Sequence, residues 1–421
     1  MPPVTTKTIP DDARGLDRTA IPDEYERRNL ATASDDRLFE MVAEVVSEPR
    51  ADPANSFVLH APLELLARRA LLEYVEPARR QRARLIWVEL AAEYEAAGDA
   101  QRAREAVPFD SVGAATSRLG AALDAGDLDG VDDSAAWLAR RATAADLIPL
   151  ADSLVTRLGA AAHAPIYLYT LPRVAPRSHA AIGLLRPLVR ELAREPDWHI
   201  EWVGRWTPAA ESSELTDALL DTPRLGLPGS DFIYPLMHQV DASGVAAEVV
   251  GPALGAHPDG AATSRSLARV AAWSMLQDDR THAPYGWTHC LTLAQAAAGV
   301  AAATSDPTRA LAVAATHVVG FRAALSASDV APRFEPDAVP GPARDALDAP
   351  PPIAAAAVHH ASTAELEAIA TELANRAALH EDAHVVKYTL ACLDAAAADP
   401  GERRLFLAAA ASLLAWWGQE K

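Results

Sequence analysis

Cysteine is scarce in this chain: Cys290 and Cys392 are the two thiols among 421 residues. Two cannot build a disulfide framework. They suit a reducing compartment, and each reads as a small buried apolar side chain. Positive charge is short as well. With 38 Lys and Arg against 57 Asp and Glu, the formal charge is −19, which disfavours attraction to nucleic acid or to an anionic membrane surface. Long apolar runs are also missing. The most apolar late stretch, "LFLAAAASLLAWW" at 405–417, is too short to span a bilayer and reads as a docked helix. The opening "MPPVTTKTIPDDARGLD" has no apolar core, so no signal peptide is expected. The expectation is a cytoplasmic protein with no nucleic-acid or membrane partner; oligomeric state is not written in these features.

Alternating, β-branched runs of strand length do not recur, whereas helical periodicity does, so an all-α fold is expected. Half of the residues are apolar, enough for a large helical domain. Residues 1–35 are polar, charged and Pro-containing and read as a loosely docked arm. A helical domain is expected over 36–421. Asp35 suits the N-cap of "DDRLFEMVAEVVSE", and Pro62 the first turn of "PLELLARRALLEYV". Residues 195–260, rich in Trp, Gly and Pro, read as a loop-rich cap with a few short helices, and 332–352 as a Pro-rich connector. The tripeptide "HAP" recurs at His60, His163 and His282. Its unequal spacing is no solenoid period, and a His-x-Pro at a helix start explains it slightly better than an old duplication.

The chemistry-bearing candidates are histidines in apolar settings: His60, His163, His289 and His384. Neutral imidazole is a common ligand for iron, zinc and copper. A core or helix-capping histidine is the competing explanation for each. No HExxH, CxxC or EF-hand loop is present, and no Gly-rich dinucleotide fingerprint follows a strand. In "DAHVVKYTLACLDAA", 382–396, His384 and Lys387 lie one helical turn apart, with Val385, Tyr388, Thr389, Cys392 and Leu393 on one apolar face. Lys387 is either a snorkelling surface lysine or a recruited one.

Three stretches, "FVLHAPLELLARR", "YGWTHCLTLAQA" and "DAHVVKYTLACL", resemble the questin oxidase-like family, over most of 36–415. That family contains flavin-independent oxidases of anthraquinone biosynthesis and an anthraquinone ring-cleaving dioxygenase. The resemblance implies a helical fold enclosing one non-haem iron, held in the ring-cleaving member by four histidines and a carboxylated lysine. Carried onto this chain, the ligands are His60, His163, His289, His384 and Lys387. His282, seven residues before His289, is the alternative third histidine or a neighbour of the ligands. Lys387 would take up carbon dioxide as a carbamate and so give the iron an anionic oxygen donor.

The expected activity is an Fe(2+)-dependent oxygenase using O2 on a small aromatic, polyketide-type substrate. Ring cleavage or insertion of oxygen beside a carbonyl are its two outcomes. His289, His384 and Lys387 are the expected catalytic residues, and Tyr167, Tyr169, Tyr285, Trp287 and Tyr388 are candidates to line the pocket or to fill the core. The rivals are a metallohydrolase with a carbamylated lysine, in which Asp382 is the close carboxylate, and a non-catalytic helical scaffold.

Overall fold

A computed structural model describes residues 21–50, 56–101, 107–208, 213–226, 233–278, 285–326 and 330–419. Among the described residues there is no strand, only two isolated antiparallel bridges, Arg50 to Ala100 and Arg157 to His199. The fold is all-α. None of the described helices is long and apolar enough to cross a membrane. The chain divides into two compact units. One is Met1–Leu147 with Leu171–Pro196, the other Ile148–Thr170 with Asp197–Lys421. A chain of this length is able to fill two separate apolar cores.

The first unit begins its described structure inside the expected arm. Ile21–Arg27 is a helix with Ile21 and Tyr25 buried, and Leu30 is buried just beyond it. Those apolar residues dock that part of the arm; residues 1–20 lie outside the described residues. Ser34, not Asp35, caps helix Asp35–Val46 by accepting the Arg37 N–H at 3.2 Å. Asp35 instead pairs with Arg80 at 2.5 Å and Arg84 at 3.3 Å. Pro62 lies well inside helix Ser56–Leu71 rather than in its first turn. Buried Val58 and the residues after it extend the helix toward its N-terminus. That helix carries a buried polar stripe, His60, Glu64 and Arg68, spaced four residues apart on one face. Glu64 accepts the Arg68 Nε–H at 2.7 Å.

In the second unit, helix Pro307–Leu325 is buried without interruption from Ala310 to Ala323, as expected of a helix surrounded by others. It packs against Tyr285–Val300, Gly260–Gln277, Ile233–Ala242 and Val245–Ala253. Two of its buried polar side chains, Thr316 and Arg322, are satisfied internally. Thr316 donates to the Ala312 carbonyl at 2.7 Å and accepts the Trp202 indole N–H at 3.0 Å. Arg322 donates to the carbonyls of Leu219 at 2.8 Å and Leu220 at 2.7 Å, and to Ser274 Oγ at 2.9 Å. It thereby caps the C-terminus of helix Leu215–Leu220. Glycines let these helices touch: Gly320 approaches Met237, and Gly299 receives the ring of Tyr169.

The stretch 195–260 holds four short helices, Trp202–Arg205, Leu215–Leu220, Ile233–Ala242 and Val245–Ala253, with residues 209–212 and 227–232 outside the described set. The last two pack on Pro307–Leu325, so this stretch contributes to the core. After the Pro-rich connector, Pro351 opens helix Pro351–His360 at its first position. A capping box of Ser362 and Glu365 opens Thr363–Ala378.

Candidate metal centre

Four of the expected ligands, His163, His289, His384 and Lys387, belong to the second unit and arise at three helix starts. His163 immediately precedes helix Ala164–Val174, and its carbonyl accepts the Tyr167 N–H at 3.2 Å, the first bond of that helix. The residue is fully buried. The chain reaches it through a left-handed turn, with φ of 49°, 51° and 57° at Ala160, Ala161 and Ala162. Left-handed backbone costs an L-residue roughly 1–2 kcal/mol, and such strain concentrates where a side chain must be aimed.

His289 sits one turn into helix Tyr285–Val300 and is 8% exposed. Its Nδ1 lies 2.7 Å from the Tyr285 carbonyl oxygen. A carbonyl can only accept, so Nδ1 carries the proton and Nε2 the lone pair. His384 is fixed in the same sense. Asp382 caps helix Ala383–Ala398 by accepting the His384 backbone N–H at 2.7 Å, and the same oxygen lies 3.0 Å from His384 Nδ1. A carboxylate is likewise acceptor-only, which again places the lone pair on Nε2. Metal-ligating histidines commonly show this arrangement, with one nitrogen donating to an oxygen and the other left for the ion.

The rings come together. His163 and His289 stack with centroids 5.6 Å apart and 23° between planes, and their ligand nitrogens lie within 4.8 Å. His289 and His384 meet edge to face, with centroids 5.1 Å apart. Lys387 is 6% exposed on the same helix as His384, so it does not snorkel to solvent. That helix is buried all round from Val385 to Leu393 rather than on one face. Burial, then the charges of Lys387, His289 and His384, hold His163 well below the usual imidazole range. Burial, then His384 and Lys387, do the same for His289 against the opposing pull of the Tyr285 carbonyl. Burial lowers His384 more than its bond to Asp382 raises it. Burial alone would raise Asp382, but the bonds and charge of His384 outweigh it and keep its carboxyl low. At neutral pH the three imidazoles are therefore neutral, the form that binds a metal.

His60 is buried in the first unit. Contrary to a helix-start role for its HAP tripeptide, it lies within helix Ser56–Leu71. His163 does stand at a helix start. His282 lies outside the described residues. Of the aromatics, Tyr167, Trp287 and Tyr388 are buried, Tyr169 packs over Gly299, and Tyr285 is 41% exposed with its ring 4.9 Å from that of His384. Sequence reasoning does not single out His317. It is 1% exposed on Pro307–Leu325, its charge would act on His289, and burial pushes it down to about 4. Its place inside the apolar run "LAVAATHVVGF" is the signal that could have found it. The chain matches no known protein family, no curated protein and no solved structure in the comparisons made with them.

Proposed function

We propose that this chain is a cytoplasmic, iron-dependent oxygenase that reacts O2 with a small electron-rich aromatic of polyketide type. The observation that carries the reading is the cluster of buried His163 and His289 with part-buried His384, buried Lys387 lying one turn along the His384 helix, and the tautomers of His289 and His384 fixed by acceptor-only partners. The donor set fits a divalent first-row ion: neutral imidazoles, with an oxygen donor once Lys387 is carbamylated. Bound iron would supply the one-electron chemistry that lets oxygen react with a phenol or hydroquinone. The chain's own residues do the rest. Asp382 and the Tyr285 carbonyl hold the imidazole protons away from the ion, and the apolar helices bury His163 and His289. Carbamylation turns the lysine, a cation where cations are disfavoured, into the missing anion. The resemblance adds His60 as a further ligand.

The bond from Asp382 to His384 also weighs against the metallohydrolase, because it engages the carboxylate a second metal would use. Protein purified without a chelating tag should carry about one iron per chain. It should consume oxygen with an anthraquinone or related phenol without added flavin. Undiminished anaerobic conversion would favour the hydrolase, and a metal-free protein would favour the scaffold.

A further inference from the structure

Three aromatic rings in contact extend from the cluster: Tyr285, Trp417 and Trp416. The ring of Tyr285 meets His384 edge-on at 4.9 Å and Trp417 edge-on at 5.2 Å, and Trp417 meets Trp416 at 4.9 Å. On the inner side, His384 lies 5.1 Å from His289. The path reaches solvent at both ends, with its middle ring buried. Trp417 is 8% exposed and Trp416 is half-buried, while Tyr285 is 41% exposed and so touches solvent and the candidate ligand at once. Neither an exposed tyrosine against a metal-ligating imidazole nor a pair of adjacent tryptophans behind it is needed for packing alone. Phenol and indole are the aromatic side chains most readily oxidised by one electron at a time, and rings in contact exchange electrons quickly.

We propose that Tyr285, Trp417 and Trp416 form a relay that empties oxidising equivalents from the cluster, giving the chain a peroxide-reducing activity of its own. The proposal rests on the iron reading above. Its overall step is balanced by hydrogen peroxide, the oxidant that misfired oxygen chemistry releases. Tyr285 gives up the electron and proton of its O–H bond, and Trp417 those of its indole N–H. The O–O bond breaks, and the peroxide leaves as two waters. The phenoxyl and indolyl radicals that remain pass outward to Trp416 and the exposed edge of Tyr285. There a soluble reductant such as ascorbate returns two electrons and two protons and is itself oxidised to dehydroascorbate. The relay spares His289 and His384 from oxidation at the cost of residues that can be restored.

The test uses full-length chain loaded anaerobically with ferrous iron, its iron content measured first, and frozen within milliseconds of adding one equivalent of hydrogen peroxide. Electron paramagnetic resonance should show a tyrosyl and a tryptophanyl radical. Tyr285→Phe keeps the backbone carbonyl that holds His289. It should abolish the tyrosyl signal with iron content unchanged, and repeated peroxide exposure should then oxidise His384 in peptide maps. Trp417→Phe should abolish the tryptophanyl signal and leave the tyrosyl one, while Trp273→Phe, a buried residue off the path, should change neither. Radicals indifferent to both path variants, or an iron-loaded chain that forms none, would overturn the relay and leave the iron site standing. A chain that binds no iron fails the iron reading instead. The relay is then read by flash-generated ruthenium(III) tris-bipyridine, where an indolyl radical on Trp417 should convert to a phenoxyl radical in the native chain and not in Tyr285→Phe. Equal conversion in both would overturn it.

Discussion

One oxygen atom, Asp382 Oδ1, holds His384 twice, accepting the backbone N–H at 2.7 Å and the ring nitrogen Nδ1 at 3.0 Å. The first contact begins a helix and the second sets a tautomer, so local folding and ligand preparation are a single event at this position. His289 is prepared in a parallel way by the carbonyl one turn before it, at 2.7 Å.

Removing that oxygen should separate two losses. Asp382→Ala is expected to cost about 1 kcal/mol of stability through the lost cap, and roughly 10–100-fold in metal affinity through the lost ring partner. Asp382→Asn keeps an acceptor oxygen and should retain most of both. Urea unfolding and metal titration measure the pair; an Ala variant with native iron affinity would remove the orienting role.

Ala at His163, His289 or His384 should strip most of the iron and leave the helical content intact, as circular dichroism and elemental analysis would show. The same change at His60 tests the further ligand that the resemblance implies. Lys387→Ala should lose activity and loosen the metal, with partial rescue by a small carboxylic acid. Lys387→Arg should fail too, because guanidinium stays charged and has no lone pair to offer. A crystal structure of active, fully metallated protein with an unmodified Lys387 ammonium would sink the carbamate.

His317 makes stability depend on acid. Unfolded, an imidazole titrates near 6.5; folded, burial holds this one down at about 4. As pH falls through 6.5 the unfolded chain takes up a proton that the folded chain refuses. Stability therefore drops across the window from 6.5 to about 4 and levels off below it. Between pH 7.5 and 5.5 the contribution is about 1.4 kcal/mol. His317→Phe should lose that much less than the native chain over the same interval in urea unfolding, and equal losses would refute the assignment.

The left-handed turn before His163 gives a prediction of the opposite sign. Ala161, at φ 51°, should be improved by glycine, which adopts this conformation without steric cost. Ala161→Gly is expected to raise stability by about 1 kcal/mol, read as a higher melting temperature. A loss of stability would mean that the turn is not held in solution.

Helical periodicity made the all-α class legible, and the apolar settings of His163, His289 and His384 picked out residues that do meet. Pattern alone did not reveal what decides their use. Ser34 rather than Asp35 caps its helix because Asp35 is drawn to Arg80 and Arg84, far along the chain. The apolar face drawn around Val385 and Tyr388 became burial on all sides, and Lys387 with it, because neighbouring helices close over it. His317 escaped notice although it sits inside an apolar run, because such a setting equally fits a core histidine; its action on His289 is what distinguishes it. The three positive φ angles at Ala160–Ala162 contradict the preference of alanine and could not be read from composition.

The cluster residues share a position in their helices. His163 stands just before Ala164–Val174, His289 falls one turn into Tyr285–Val300, and His384 and Lys387 occupy the opening turns of Ala383–Ala398. Each helix start presents roughly half a positive charge from its aligned peptide dipoles, and the imidazoles that meet in the cluster all come from these starts. In a chain that is strongly acidic overall, these starts favour an anionic donor such as a carbamate on Lys387 beside the imidazoles, and with it the charge balance a divalent ion needs. On the oxygenase reading, such a site should select by ionisation state: a phenolate is expected to bind where the corresponding phenol or its methyl ether does not, with chloride or azide competing.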